Sequence, residues 1–176
     1  MELLVKKAQK GDEESFIKAI DLCMPQMYKI ARSRIKREES IGDAIQETII
    51  AAFTNIKKQK EPRYFKTWLI KILINKCNDI TKDNKVLYVD DYSTVENTNL
   101  IYSENSEEKL DFESILDKLN NEYRLVVVMY YVNRFTTKEI SEILNEKEGT
   151  IKSRLSRARE QLKTHYLKEN ILGGIK

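Results

Sequence analysis

Five residues near the C-terminal end, Lys152, Ser153, Arg154, Ser156 and Arg157, carry the most specific chemistry in the sequence. Arginine and lysine can pair with guanine O6 and N7, and serine can donate or accept at several base edges. Thr150 and Arg159 extend the run on either side. Arg159 and Lys163 are placed for phosphates, which position a helix without reading sequence. Catalysis has no comparable set. There is no Ser/His/Asp group, no glycine-rich phosphate loop and no Cys/His cluster. The single histidine, His165, reads as a solvated or partly packed side chain. Cys23 and Cys77 read as reduced thiols in packed helices, with neither a disulfide framework nor metal-ligand spacing. The sequence therefore predicts no catalytic residue, no metal site and no cofactor.

Residues 136–167 must hold this run in place, and they read as a helix, a tight turn and a second, basic helix. Thr136 and Glu139 form a capping-box signature that starts the first helix. Ile140, Ile143 and Leu144 give it one apolar face. Asn145 and Gly149 punctuate the turn, since both tolerate left-handed backbone. The second helix puts Ile151, Leu155, Ala158, Leu162 and Tyr166 on one side. At about 100° per residue, Ser153, Ser156, Arg157 and Glu160 fall opposite, with Lys152, Arg154, Arg159 and Lys163 on the flanks. One side is built for burial, and the other is polar, basic and short-chained near its start. A recognition helix in a DNA major groove requires that arrangement.

Upstream, the periodicity is helical almost throughout. Gly11 separates a short first turn of helix from a long second one, in which Phe16, Ile20, Cys23, Met27, Ile30 and Ala31 share a face and Pro25 introduces a kink. Ser40 is a candidate cap for a helix over residues 41–56. Ile41, Ile45, Ile49, Ala52, Phe53 and Ile56 make its buried stripe. Asp43, Gln46, Glu47, Ile50 and Thr54 face outward. An outward isoleucine among acids and an amide fits either a protein contact or a solvated face with one stray apolar residue. A basic loop, residues 57–63 (KKQKEPR), leads into a helix over residues 64–82 with a wide apolar arc: Phe65, Leu69, Ile70, Ile72, Leu73, Ile74, Cys77 and Ile80. A thin polar strip remains, Thr67, Lys71, Asn75, Asn78 and Lys82, with Trp68 at its edge. Amides can bond base edges and aromatics can stack on bases. Trp68 reads better as core, and Asn75 serves equally as a structural hydrogen bonder.

Residues 83–109 show no periodicity and read as a flexible acidic linker, densest at Asp90 and Asp91. Helix returns over residues 110–132, where Phe112, Ile115, Leu116 and Leu119 form a stripe and Asn120 and Asn121 mark a turn. The β-branched stretch LVVVMYYV reads as buried helix, because a lone strand would have no partner. The tail from Asn170 is expected to fray. The fold class expected is all-α, with two small helical domains: residues 1–82 and 110–170, joined by the linker 83–109.

Bulk properties agree. The chain of 176 residues has 2 Pro and 5 Gly, few breakers for its length, which favours helix. Its net charge of +3 conceals a pattern. Residues 1–85 carry 18 basic and 12 acidic side chains, residues 86–123 carry 2 and 10, and residues 124–176 carry 11 and 6. Two basic units flank an acidic middle, and basic units suit polyanion contact. No apolar run approaches the roughly 18 residues of a membrane helix. The N-terminal MELLVKKAQKGDEE lacks the apolar core of a signal peptide. The expected location is the cytoplasm, with no direct membrane insertion.

The sequence resembles the extracytoplasmic-function (ECF) group of sigma factors, in the sigma-70 family. Asp43-Ala44-Ile45-Gln46-Glu47 resembles the acidic helix of the N-terminal sigma domain. Phe65-Lys66-Thr67-Trp68-Leu69, continuing through Ile72, Asn75, Cys77 and Asp79, resembles the promoter-melting helix. Residues 149–159 (GTIKSRLSRAR) resemble the recognition helix of the C-terminal domain. The resemblance implies a dissociable, non-catalytic subunit of bacterial RNA polymerase that selects promoters. Asp43, Gln46, Glu47 and Ile50 would then dock on the clamp helices of the largest core polymerase subunit. The loop 57–63 and the strip Lys71, Asn75, Asn78 and Lys82 would engage the −10 element as it melts and hold a flipped base. Thr150, Lys152, Ser153, Arg154, Ser156, Arg157 and Arg159 would engage duplex −35 DNA. The linker would thread toward the active-centre and RNA-exit channel. An anti-sigma factor, membrane-bound in the family's usual form, is a further implied partner.

Three places in the chain depart from the family pattern. Glu146 and Lys147 stand where an apolar residue and a capping serine or threonine are usual, which predicts a looser turn. Arg134 stands where a glycine is common. The loop 57–63 has no aromatic residue to wall a base pocket. Rival readings are a dimeric helix–turn–helix regulator that acts without polymerase, an enzyme, and an adaptor that binds polymerase alone. The strip and the acidic spacer argue against the first, the absence of a catalytic set against the second, and the basic recognition helix against the third.

Overall fold

The computed structural model describes residues 1–87 and 114–173, with side chains described over 1–82 and 114–164. Among these the chain is helical and contains no strand. The expected linker beyond Leu87 and the stripe residue Phe112 lie outside the described residues, as do the side chains of His165 and Tyr166.

The first helix, α1 (Glu2–Gln9), gives way to a turn at Lys10 and Gly11, and the Gly11 φ of +98° is open to glycine at little cost. Asp12 caps α2 (Glu13–Asp21) by accepting from the Ser15 backbone N–H at 3.2 Å and its hydroxyl at 2.8 Å. The expected long, kinked helix is two helices. The chain breaks at Leu22 and Cys23, and Pro25 sits in the first turn of α3 (Met24–Arg32). Proline has no N–H to donate, which costs nothing in a first turn and a hydrogen bond in a helix interior. Pro25 therefore opens a helix rather than bending one.

Helix α4 (Glu38–Asn55) starts earlier than the serine cap predicts, with Arg37 in the cap position and Ser40 inside the helix. Glu38 and Glu39 fill its first turn, where negative charge meets the positive end of the helix dipole. Glu38 also accepts from Tyr28 at 3.2 Å and lies 3.6 Å from Arg32, tying α3 to the start of α4. Helix α5 (Phe65–Leu87) packs against α4 and α3, and it continues past the expected end at Lys82. Phe65, Leu69, Ile70, Leu73, Ile74 and Cys77 are buried along it. Between α4 and α5 lie two 3-10 turns, Ile56–Lys58 and Pro62–Tyr64, both against α1.

The second half begins with a helical turn over residues 114–117. Asn120 caps α6 (Asn121–Val127) by accepting from the Tyr123 N–H at 2.8 Å. The β-branched run is helical, as expected, and it widens into a π-helical turn at Val128–Val132. Helices α7 (Thr137–Leu144) and α8 (Glu148–Gly173) follow, so the C-terminal helix runs beyond Asn170, where fraying was expected. Helix α6 packs on α8, and α7 on both α8 and α5. Contact of α7 with α5, and of the π turn with α3, brings the two halves together.

Candidate nucleic-acid interface

The helix–turn–helix forms as its sequence predicts at the first cap. Thr136 accepts from the Glu139 N–H at 3.2 Å, and the Glu139 carboxylate accepts from the Thr136 N–H at 2.8 Å. Ile140 and Ile143 are buried. Asn145 closes α7 in the left-handed region at φ 55°. Gly149 does not share that role: it lies in the first turn of α8 without positive φ. Its exposed Cα hydrogens face open space, with no atom within 4 Å of where a Cβ would stand.

The turn is not loose. Lys147 provides the carbonyl that accepts from Thr150 at 2.9 Å and Ile151 at 3.3 Å, but its side chain has no acceptor to cap the helix. Two carboxylates brace the turn through other side chains instead. Glu148 accepts from the Thr137 hydroxyl at 2.7 Å, joining the starts of α7 and α8, and pairs with Lys152 at 2.9 Å. The Thr137 and Lys152 contacts hold its carboxyl below the usual range. Glu146 pairs with Arg154 at 2.8 Å. The charge at the turn thus does the fastening that a small cap does elsewhere.

On α8, Ile151, Leu155 and Ala158 are buried, while Thr150, Lys152, Ser153, Ser156, Arg157 and Arg159 are exposed. Arg157 has no hydrogen bond or ion pair among the described residues, and Arg159 donates to the Leu155 carbonyl at 3.2 Å. The structure gathers Thr150, Ser153, Arg154 and Arg157 along an open cleft of about 470 Å³ with Glu122, Tyr123 and Gly149. Arg154 differs from its neighbours. Its side chain is only 20% exposed, and its guanidinium also reaches Glu122 at 3.2 Å.

Helix α5 presents the other strip. Lys71, Asn75 and Lys82 are exposed in line. Asn78 is half-buried, and its amide oxygen accepts from Arg34, which commits it to holding the segment after α3. Trp68 is half-buried against Phe65, with ring centroids 5.9 Å apart. At the head of the strip stands Tyr64, a residue the sequence reading passed over. It is 47% exposed, and the Arg63 guanidinium lies 4.7 Å from its ring centroid. Residues 64, 71, 75 and 82 recur at helical spacing, so the missed signal was the register of Tyr64 with the strip. Gln59 was missed as well. It is buried in the basic loop, its amide donating to the Glu61 carbonyl at 3.0 Å and accepting from the Glu61 N–H at 2.6 Å. Its own carbonyl accepts from Gln9 on α1. The loop is thereby fixed to the helical body, with Lys57, Lys58 and Lys60 exposed.

A third surface lies on α4. Asp43, Gln46, Glu47 and Ile50 are exposed on one face, with Ile50 at 58%. Glu47 pairs with Lys76 of α5 at 2.9 Å. Phe53, expected in the buried stripe, is half exposed and meets Phe16 edge-on at 5.2 Å. No group of three or more His, Cys, Asp or Glu suited to a metal ion occurs among the described residues. No described helix is long and apolar enough to cross a membrane.

Residues 19–86 match Sigma-70 region 2, and residues 109–162 match Sigma-70 region 4. The ECF RNA polymerase sigma factor SigW of Bacillus subtilis (strain 168) is 30% identical over 181 residues, spanning 93% of this chain and 97% of that one. RNA polymerase sigma factor SigV of the same organism is 28% identical over 147 residues, spanning 82% and 86%. Among solved structures, CnrH in complex with the cytosolic domain of CnrY superposes with a TM-score of 0.71 at 21% identity, over 96% of this chain and 97% of that one. RpoE in complex with the anti-sigma factor NepR from Bartonella quintana gives 0.72 at 23% identity, over 93% and 99%. Both likenesses bear on the fold.

Proposed function

The chain belongs to the extracytoplasmic-function family of RNA polymerase sigma factors, and we propose how its surfaces divide that work. It directs promoter-specific initiation of transcription with core RNA polymerase. The reading rests on one observation: the two polar strips, on α5 and α8, each stand on a helix whose other side is buried. The catalytic centre belongs to the polymerase, and this chain works in the cytoplasm as a non-catalytic selector.

In this reading α8 lies in the major groove of the −35 element. Ser153, Ser156 and Arg157 face base edges, while Thr150, Lys152 and Arg159 meet backbone phosphates. The Lys152 pair with Glu148 is exposed and i,i+4, a class of contact worth about 0.5 kcal/mol or less, so a phosphate displaces the carboxylate readily. The N-terminal unit handles the −10 element. Unstacking a base costs a few kcal/mol, and the protein must offset it. Tyr64 offers an aromatic face for that purpose, beside Lys71, Asn75 and the fixed basic loop. Base–aromatic stacking is worth about 1–3 kcal/mol. Asn78 supports the strip through Arg34 rather than touching DNA. Asp43, Gln46, Glu47 and Ile50 form the docking face for core polymerase, and an anti-sigma factor is the expected regulator.

The two units cannot serve both elements in their packed arrangement. Elements centred about 25 base pairs apart lie about 85 Å apart along B-DNA, whereas α5 and α7 are in contact. Promoter engagement therefore separates them.

Run-off transcription with purified core polymerase on a promoter library tests the reading. Initiation that depends on both a −10 and a −35 sequence is the expected result. Failure to initiate with core enzyme, together with dimeric binding to a palindrome, would make the chain an ordinary helix–turn–helix regulator.

A further inference from the structure

Arg154 is the half-buried exception among the polar residues of α8 that otherwise face solvent. Its side chain is 20% exposed, against 63% for Lys152. Nη1 lies 2.8 Å from Glu146 in the turn, and Nη2 lies 3.2 Å from Glu122 at the start of α6. One guanidinium thus joins three parts of the domain: the recognition helix, the turn before it and the helix beneath it. Arginine suits this task, because its planar fork can satisfy two carboxylates in fixed directions. Glu122 lines the same cleft as Arg154 itself, beside Ser153 and Arg157. Its side chain is 63% exposed, and that of Glu146 is 31% exposed. Both acids therefore sit beside the surface that has to approach a polyanion.

We propose that Arg154 is a positioning residue that touches no base or phosphate: it fixes the recognition helix on α6 and masks the Glu122 and Glu146 carboxylates from the incoming DNA. This role rests on the assignment of α8 as the −35 reader. It also gives the unusual turn a purpose. Glu146 places a carboxylate in the turn, and Arg154 anchors to it as well as to Glu122. Sequence discrimination then falls to Ser153, Ser156 and Arg157, and Arg154 contributes to affinity alone.

The test is selection of binding sites from a randomised duplex library by the full chain in complex with core polymerase, followed by titration on the selected duplexes. Wild type yields a −35 motif. Arg154→Ala is expected to yield the same motif at every position, with affinity about tenfold lower on every duplex. Neutralising the acids by Glu122→Gln with Glu146→Gln should raise affinity strongly in the Arg154→Ala background and less than about twofold in the wild-type background, a coupling that only masking produces. Loss of preference at a single base pair would make Arg154 a base reader and overturn the proposal. Strictly additive effects of the arginine and the acids would make it an independent phosphate contact, with the same consequence. Arg154→Met keeps the apolar stem and repeats the measurement if the alanine variant unfolds. In Glu122→Gln alone, a change above about threefold would show the acid to be unmasked and would also overturn it. A wild-type complex that selects no motif would remove the promoter-reading function itself, and this role with it.

Discussion

Arg124→Ala should destabilise the C-terminal unit without touching the DNA surface. Arg124 is 9% exposed, and its guanidinium braces the turn before α6 by bonding three of its carbonyls, one of which, Leu116, also accepts from the Leu119 N–H at 3.1 Å. Nε donates to Leu116 at 3.0 Å, and Nη2 donates to Asp117 and Leu119, each at 3.1 Å. The Asp117 carboxylate, 72% exposed, lies 3.3 Å away and adds little. A hydrogen bond to a charged group is worth about 1.5–3 kcal/mol net, so three give an upper limit of about 4.5–9 kcal/mol. Two offsets apply. Truncation releases about 2 kcal/mol of arginine side-chain entropy. Water entering the vacated space rehydrates part of the carbonyl set. A net loss of about 2–4 kcal/mol remains. Urea titration followed by far-UV circular dichroism reads it as a fall in midpoint at constant slope. Arg124→Lys should recover less than half, since an ammonium cannot reproduce the planar fork. A loss below about 0.5 kcal/mol for the alanine variant would refute the reasoning. It would mean that the three carbonyls are satisfied equally well by water.

Four other outcomes follow from single features. Arg134→Gly should stabilise by about 0.5–1 kcal/mol, read by urea titration, because Arg134 sits at φ 61°, where a Cβ is strained. Gly149→Ala should leave the fold as stable or up to about 1 kcal/mol more stable, since a Cβ there meets nothing; if the −35 DNA approaches the bare backbone, promoter binding falls while the melting temperature does not. Ile50→Asp should weaken capture by core polymerase in a pull-down at unchanged stability, because Ile50 is 58% exposed and holds no core position; unchanged capture would leave it a stray apolar residue. Burial pushes the Cys77 thiol from 9.0 up to about 11. The unfolded thiol ionises first as pH rises, so this contribution to stability is complete below about pH 9 and is lost between there and about pH 11. Denaturant midpoints across that window measure it, and Cys77→Ala should flatten the decline.

The helical class and the recognition helix were legible in the sequence for one physical reason. Ile151, Leu155 and Ala158 repeat at the helical period, and an amphipathic period constrains both backbone and burial locally. The capping box at Thr136 was legible on the same ground, since its partners are three residues apart. Asp43, Gln46, Glu47 and Ile50 came out on one exposed face as their spacing required. Boundaries were less legible. Pro25 and Ser40 each allow more than one role, and their neighbours chose between them through dipole charge and the pairing of Glu38 with Tyr28 and Arg32.

What the sequence alone determined was the periodic part of this protein: which helices form, which side of each is apolar, and which polar run faces outward. Tertiary structure alone decided which charges on that run are available. Lys152, Arg154 and Arg157 are equivalent in a list of basic residues. Folding brings Glu122 and Glu146 to Arg154, leaves Arg157 in solvent, and buries Arg124 under three carbonyls. Asn78 is likewise drawn away from the α5 strip by Arg34, which is 44 positions distant in the chain. Such pairings depend on distances across space between residues far apart in sequence or on different helices, and no local period encodes them.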